Sequence, residues 1–149
     1  MPNTTLTIDL QIGRPPAAVF AALTHLNTLR RQIGGSATYR GTVDVSDDPV
    51  RAGSTYADIT PIGRLRGEVV EAEPDRRVVF LQRTAYGRLS IRITYELEPS
   101  AVGTRLVRTG EITTRGWLAA VHPIVVRSTR SENQRTMASL KASLEASVA

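Results

Sequence analysis

Between Thr5 and Ile12 apolar and polar residues alternate one for one, Leu6, Ile8, Leu10 and Ile12 against Thr5, Thr7, Asp9 and Gln11, the period of a strand buried on one face. Gly13-Arg14-Pro15-Pro16 breaks the run. Proline suits a helix start because the N–H it lacks would have had no partner there, so a helix is predicted over Ala17 to Leu29, with Val19, Phe20, Leu23 and Leu26 inward and a stop at Ile33-Gly34-Gly35. Ala37, Tyr39, Val43 and Val45 share one face of a second strand, which runs into the turn Ser46-Asp47-Asp48-Pro49. Strands follow over Gly53 to Pro61, Gly63 to Glu73 and Arg77 to Thr84. Arg88 to Pro99 then alternates nearly without fault, Leu89, Ile91, Ile93, Tyr95 and Leu97 inward, and a hairpin at Ser100-Ala101-Val102-Gly103 leads to Thr104 to Thr114.

Trp117 to Val148 is the one long helical run. At about 1.5 Å per residue its roughly 30 residues reach about 45 Å, enough to cross a small domain. Leu118, Val125, Thr129, Glu132, Thr136, Leu140 and Ser143 fall along one side, flanked by Val121, Val126, Met137 and Leu144; Arg127, Gln134, Lys141 and Glu145 fall opposite. The inward stripe is apolar at both ends and polar in the middle, so its middle is expected to face a cavity rather than packed side chains. Pro123 implies either a bend or a regular part that begins there, with Trp117 to His122 as a lead-in.

Short links between consecutive strands imply antiparallel neighbours, since a parallel pair needs a crossover of about a dozen residues. The class is α+β, one domain over residues 1–149. The chain has no cysteine, which excludes disulfides, thiolate metal sites and cysteine nucleophiles and suits the reducing cytoplasm. No signal peptide or membrane span is expected. Net charge is +5, from 18 arginines and one lysine against 14 carboxylates. The arginines are scattered, densest at Arg30-Arg31, Arg64/Arg66, Arg76-Arg77 and Arg127/Arg130, and aromatic content is 5%. That pattern predicts solvated faces and local ion pairs; it argues against DNA and disfavours RNA, which would want clustered charge and stacking aromatics. A homodimer is left open.

The chain resembles the SRPBCC superfamily, the helix-grip or START/Bet v 1-like proteins, and within it the small bacterial members described as polyketide cyclase/dehydrase-like. The resemblance lies in Ile12-Gly13-Arg14-Pro15-Pro16-Ala17-Ala18-Val19-Phe20, Val50-Arg51-Ala52-Gly53-Ser54, Val69 to Phe80, Gly103-Thr104-Arg105-Leu106 and Met137 to Ala146. It covers nearly the whole chain, and its motifs belong to the fold rather than to catalysis. Members commonly hold a tryptophan after the first helix; Asn27 to Gly35 has none, so nothing is carried to that position. The resemblance implies a helix-grip fold: a seven-stranded antiparallel sheet wrapped around the long C-terminal helix, one or two short helices after the first strand, and a cavity for a hydrophobic or amphipathic small molecule.

The two histidines share no metal-ligand spacing. His25 closes the first helix, where the helix dipole favours a cation, and His122 is given a structural or entrance role. No zinc motif, Walker loop, dinucleotide fingerprint or nucleophile elbow is present, and Asp44, Asp47 and Asp48 do not fit a calcium loop. Neither metal nor cofactor is expected. Arg108, in phase with Leu106 and Ile112, Arg83, in phase with Val79 and Leu81, and Glu132, in mid-stripe, would each bury a charge; an Arg–Glu pair or a ligand contact would offset that. Asp58 and Glu68 are weighed as a carboxylate pair and preferred as a solvent face opposite Arg66. Tyr39, Tyr56, Tyr95 and Trp117 combine apolar bodies with polar tips, and Trp117 suits an entrance. With Val125, Thr129 and Thr136 these are the candidate ligand-binding residues. A carrier or sensor of a lipid- or polyketide-like molecule is the preferred function, ahead of a cyclase or aromatase that folds its substrate in the same cavity, since no catalytic constellation is visible.

Overall fold

Strict alternation makes the last hairpin the most regular part of the molecule: Leu89–Ser100 and Gly103–Thr114 stay in register from Leu89 opposite Thr114 to Ser100 opposite Gly103. The structure is a computed structural model describing residues 1–36 and 39–146, of residues 30–32 the backbone alone. Its strands are β1 (Asn3–Ile12), β2 (Thr42–Val43), β3 (Thr55–Thr60), β4 (Gly63–Glu73), β5 (Arg77–Arg83), β6 (Leu89–Ser100) and β7 (Gly103–Thr114). They form one antiparallel sheet in the order β1-β7-β6-β5-β4-β3-β2. The helices are α1 (Pro16–Thr24), α2 (Leu26–Ile33), α3 (Trp117–Ala120) and α4 (His122–Ala146). This is the helix-grip arrangement: a seven-stranded sheet carrying a long C-terminal helix, with two short helices after the first strand.

Two local expectations need correction. The first helix is two helices, parted at His25, whose backbone N–H and ring Nδ1 both lie within 3.0 Å of the Ala21 carbonyl oxygen, while Thr24 Oγ1 donates back to Phe20 at 2.9 Å. Side chains that bond the preceding turn compete with helix propagation. The second strand keeps only Thr42–Val43; Tyr39 lies before it and Ala37 is outside the described residues. Asp44 has φ +55°, a left-handed turn that ends the extended run. Of the two readings of Pro123 the second holds: α4 begins at His122, so Pro123 sits in the first turn, where its missing N–H breaks no helical bond, and Trp117–Ala120 is the separate lead-in.

α4 is tied down at both ends. The buried His122 ring bridges Thr4 Oγ1 on β1 and Thr114 Oγ1 on β7, each at 2.7 Å, the structural role expected of it. Twenty-odd residues on, the Gly13 N–H donates to Glu145 at 2.9 Å, Lys141 reaches the Gln11 carbonyl, and Arg14 Nη1 donates to the Leu144 carbonyl at 3.1 Å. Around that lower end Ile12, Val19, Leu106 and Leu140 are fully buried, with Met137 and Leu144 beside them. Many arginines meet carboxylates locally, as Arg105 does between Asp9 and Glu98 at 2.6 and 2.9 Å.

Candidate functional site

Above the solid end, sheet and helix separate around a cavity of about 470 Å³. Its walls come from the inward positions of β3 to β7, from Leu26, Leu29 and Ile33 of α2, and from the upper half of α4. Ile62, Trp117 and Ile124 line it and are also exposed, which puts its mouth between the β3–β4 turn, α3 and the first turn of α4. Two glycines make room in its sheet wall. The Tyr56 ring lies across Gly67, its cross-strand partner, where an added Cβ would be 2.2 Å from Tyr56 Cζ; at Gly110 an added Cβ would be 3.2 Å from Arg108 Nη1. Tyr56, Phe80 and Tyr95 meet edge to face, with centroids 5.9 and 6.0 Å apart, forming an aromatic strip along the floor.

At the β3 side of the cavity the polar groups form a chain. Tyr39 OH and Thr42 Oγ1 are 2.6 Å apart, Thr42 donates to Asp58 Oδ1 at 2.7 Å, and Gln82 Nε2 donates both to Asp58 Oδ2 at 2.9 Å and to Tyr56 OH at 2.8 Å. Burial holds the Asp58 carboxyl up at about 6 against an ordinary 3.8, with the Thr42 and Gln82 hydrogen bonds pulling the other way. The Tyr56 hydroxyl is pushed well up, first by burial and then by the negative charge of Asp58. Asp58 therefore changes protonation just below neutrality inside an apolar pocket, whereas an exposed aspartate would stay ionised.

Arg108 lies at the β7 side, and only 6% of it is exposed. Its Nε donates to Tyr95 OH at 3.3 Å, its guanidinium carbon stands 5.6 Å from the Tyr95 ring centroid, and its buried Nη1 has no hydrogen-bond partner among the described residues. The Arg–Glu pairing weighed from the sequence does not form. Glu132 is bound instead by Arg135, three residues along α4, and accepts from Ser36 Oγ at 2.9 Å, while Arg135 Nη1 also donates to the Ile33 carbonyl at 2.8 Å. That cluster straps the end of α2 to α4.

Of the residues singled out from the sequence, Tyr39, Tyr56, Tyr95, Arg108, Trp117, Val125, Thr129, Glu132 and Thr136 all line the cavity. Arg83 does not: it is exposed on the opposite face of β5, whose inward residues are Val78, Phe80 and Gln82. Val78, Val79 and Phe80 are all buried, so β5 lacks the alternation from which a phase can be read. Asp58 and Glu68 face opposite sides of the sheet, which rules out the carboxylate pair and also takes Asp58 off the solvent face preferred for it. Gln82, Thr42 and Asn133 were missed. Asn133 lies seven residues after Val126 and four before Met137, helical spacing that marks an inward position. Among the described residues no three His, Cys, Asp or Glu side chains converge on a metal position.

Residues 1–145 match the family described as polyketide cyclase / dehydrase and lipid transport. Among solved structures, protein MLL2253 from Mesorhizobium loti superposes with a TM-score of 0.73 at 18% identity, over 98% of this chain and 99% of that one. Mll3558 from Rhizobium loti gives 0.68 at 25% identity, over 93% and 97%. Ara h 8.0201 gives 0.64 at 12% identity, over 93% and 98%. None of the curated proteins matches. At such identities the superpositions establish a common fold.

Proposed function

This chain belongs to the polyketide cyclase / dehydrase and lipid transport family, and we propose that it is a carrier or sensor enclosing one small hydrophobic or amphipathic molecule, lipid- or polyketide-like, between the sheet and α4. The observation that carries this reading is a cavity of about 470 Å³ with mostly apolar walls and a few convergent polar groups, the usual make-up of a small-molecule site. Tyr56, Phe80 and Tyr95 supply a flat apolar floor, Val125 and Thr129 the roof, and Trp117 the entrance. The Thr129 hydroxyl is occupied by the Val125 carbonyl at 2.8 Å and needs nothing from a ligand. Among the described residues no helix is long and apolar enough to cross a membrane, and the cysteine-free chain suits the cytoplasm, where we place it, as a single domain working without a cofactor.

Mass spectrometry of small molecules extracted from natively purified protein tests the reading, together with thermal unfolding against a panel of fatty acids, alcohols and aromatic polyketides. A bound ligand at about a hundredfold excess over its dissociation constant should stabilise the fold by about 2.7 kcal/mol. An empty extract and a panel that leaves the midpoint unmoved would overturn it. A second reading, a cyclase- or aromatase-type enzyme, is favoured by one feature: the Asp58 carboxyl, which can exchange a proton near neutrality, shares the cavity with a guanidinium able to polarise a carbonyl. It requires turnover of a polyketide-like chain that Asp58→Asn abolishes while binding persists.

A further inference from the structure

A buried arginine is a stricter constraint than a buried lysine or carboxylate, because it cannot shed its charge to escape desolvation. Of the chain's 14 carboxylates, two line the same cavity as Arg108, and both are engaged elsewhere: Glu132 by Arg135 and Ser36, Asp58 by Thr42 and Gln82. Among the described residues Arg108 makes no ion pair, and its Nη1 is sealed from solvent without an acceptor. The Tyr95 hydroxyl and ring face serve the Nε side of the guanidinium only. Nη1 packs over Gly110, where an added Cβ would stand 3.2 Å from Nη1 and 3.9 Å from the Asn133 amide nitrogen. An isolated buried charge costs several kcal/mol, and a cation left in that condition at the wall of a cavity is matched by an anion that comes and goes.

We propose that Arg108 is the head-group site of this cavity and that the ligand is a monoanionic amphiphile, a carboxylic acid, with its carboxylate against the Arg108 guanidinium where it lines the cavity and its apolar body running along Tyr56, Phe80 and Tyr95 toward Trp117. The claim rests on the carrier reading and narrows it. One negative charge is the right number. Among the described residues Arg108 is the one cation that lines the cavity, and Asp58 and Glu132 are acids of its own, so a phosphate monoester carrying about two charges would face uncompensated repulsion. A neutral alcohol would leave the guanidinium without its counter-charge.

Isothermal titration calorimetry of the full chain at neutral pH with dodecanoate, dodecan-1-ol and dodecyl phosphate separates these cases, because the three probes share a tail and differ in the head. Dodecanoate should bind about 10- to 100-fold tighter than the alcohol, the range expected of a hydrogen bond between charged groups, and tighter than the phosphate. In Arg108→Met the acid and alcohol affinities should converge. Equal binding of acid and alcohol by the native protein, tighter binding of the phosphate, or an acid preference that survives in Arg108→Met would each overturn the assignment while leaving the carrier reading standing. No binding of any probe would remove both. Should Arg108→Met fail to fold, the comparison of heads in the native protein decides alone.

Discussion

From Met137 to Leu144 the inward side of α4 is packed solid: Leu140 is fully buried, and Met137 and Leu144 are nearly so, beside Ile12, Val19 and Leu106. From Val125 to Thr136 the same helix crosses a hollow and presents Val125, Thr129, Glu132, Asn133 and Thr136 to it. The contrast separates two duties within one element. The lower half supplies apolar burial and anchors the helix to β1; the upper half, held by the His122 bridge and the Arg135 strap, is released from filling a core. Polar residues are tolerated there because they face space that water or a guest can enter, whereas in the lower half each would need a buried partner.

The largest effect should come from removing a packed side chain at the solid end. Leu140→Ala is expected to lower the unfolding free energy by about 2–5 kcal/mol in urea titration, and Val125→Ala, over the hollow, by less than about 1 kcal/mol. Similar losses at the two sites would mean that the upper half is as tightly filled as the lower, and the contrast would be gone.

Next comes the acid in the hollow. The folded-state pKa of Asp58 is raised from 3.8 to about 6, so between those values the folded chain keeps a proton that the unfolded chain has released. The associated stability is fully present below pH 3.8 and is lost as pH rises through about 6, amounting to about 3 kcal/mol. Asp58→Asn should flatten that part of the stability–pH profile. A difference between native and variant that stays constant from about pH 4 to about pH 7 would show that the group is not desolvated.

Smaller, and opposite in sign to the loss at Leu140, is the response of the ligand-free protein to Arg108→Met. Because it removes a buried charge with no counter-charge, stability should hold or rise by up to about 2 kcal/mol. A loss of that size would mean the guanidinium is already satisfied. The smallest effect belongs to Arg83→Ala, on the outer face of β5: stability within about 0.5 kcal/mol and unchanged ligand affinity. A lost affinity there would return Arg83 to the site.

Every strand was legible along the chain, and β4 was placed at its full extent, because burial on one face writes a period of two that needs only neighbours in sequence to be seen. The signal weakened where that condition failed. β5 is buried on both faces around Val78, Val79 and Phe80, so its pattern does not distinguish Arg83 from Gln82 as the inward residue. Asp58 carries the same parity as Tyr56 and Thr60, and that phase, rather than its acidity, decides which face it takes. On β4 a bulge between Val69 and Glu71 shifts the register and turns Glu71 outward to Arg77, a displacement of one residue that composition does not announce.

The amino-acid sequence by itself determined most of the elements, the antiparallel pairing of strands joined by short links, the polar centre of the long helix and most of the residues that face the cavity, since all of these follow from local periodicity and short connections. Only the tertiary structure decided which charges meet. Glu132 found Arg135 one helical turn away instead of Arg108 across the cavity, Asp58 was enclosed by Thr42 and Gln82, and Arg108 was left with a buried, unmatched Nη1. Those outcomes depend on sheet curvature and on distances between residues far apart in the chain, and an ångström or two at that range separates an ion pair from an unmet charge.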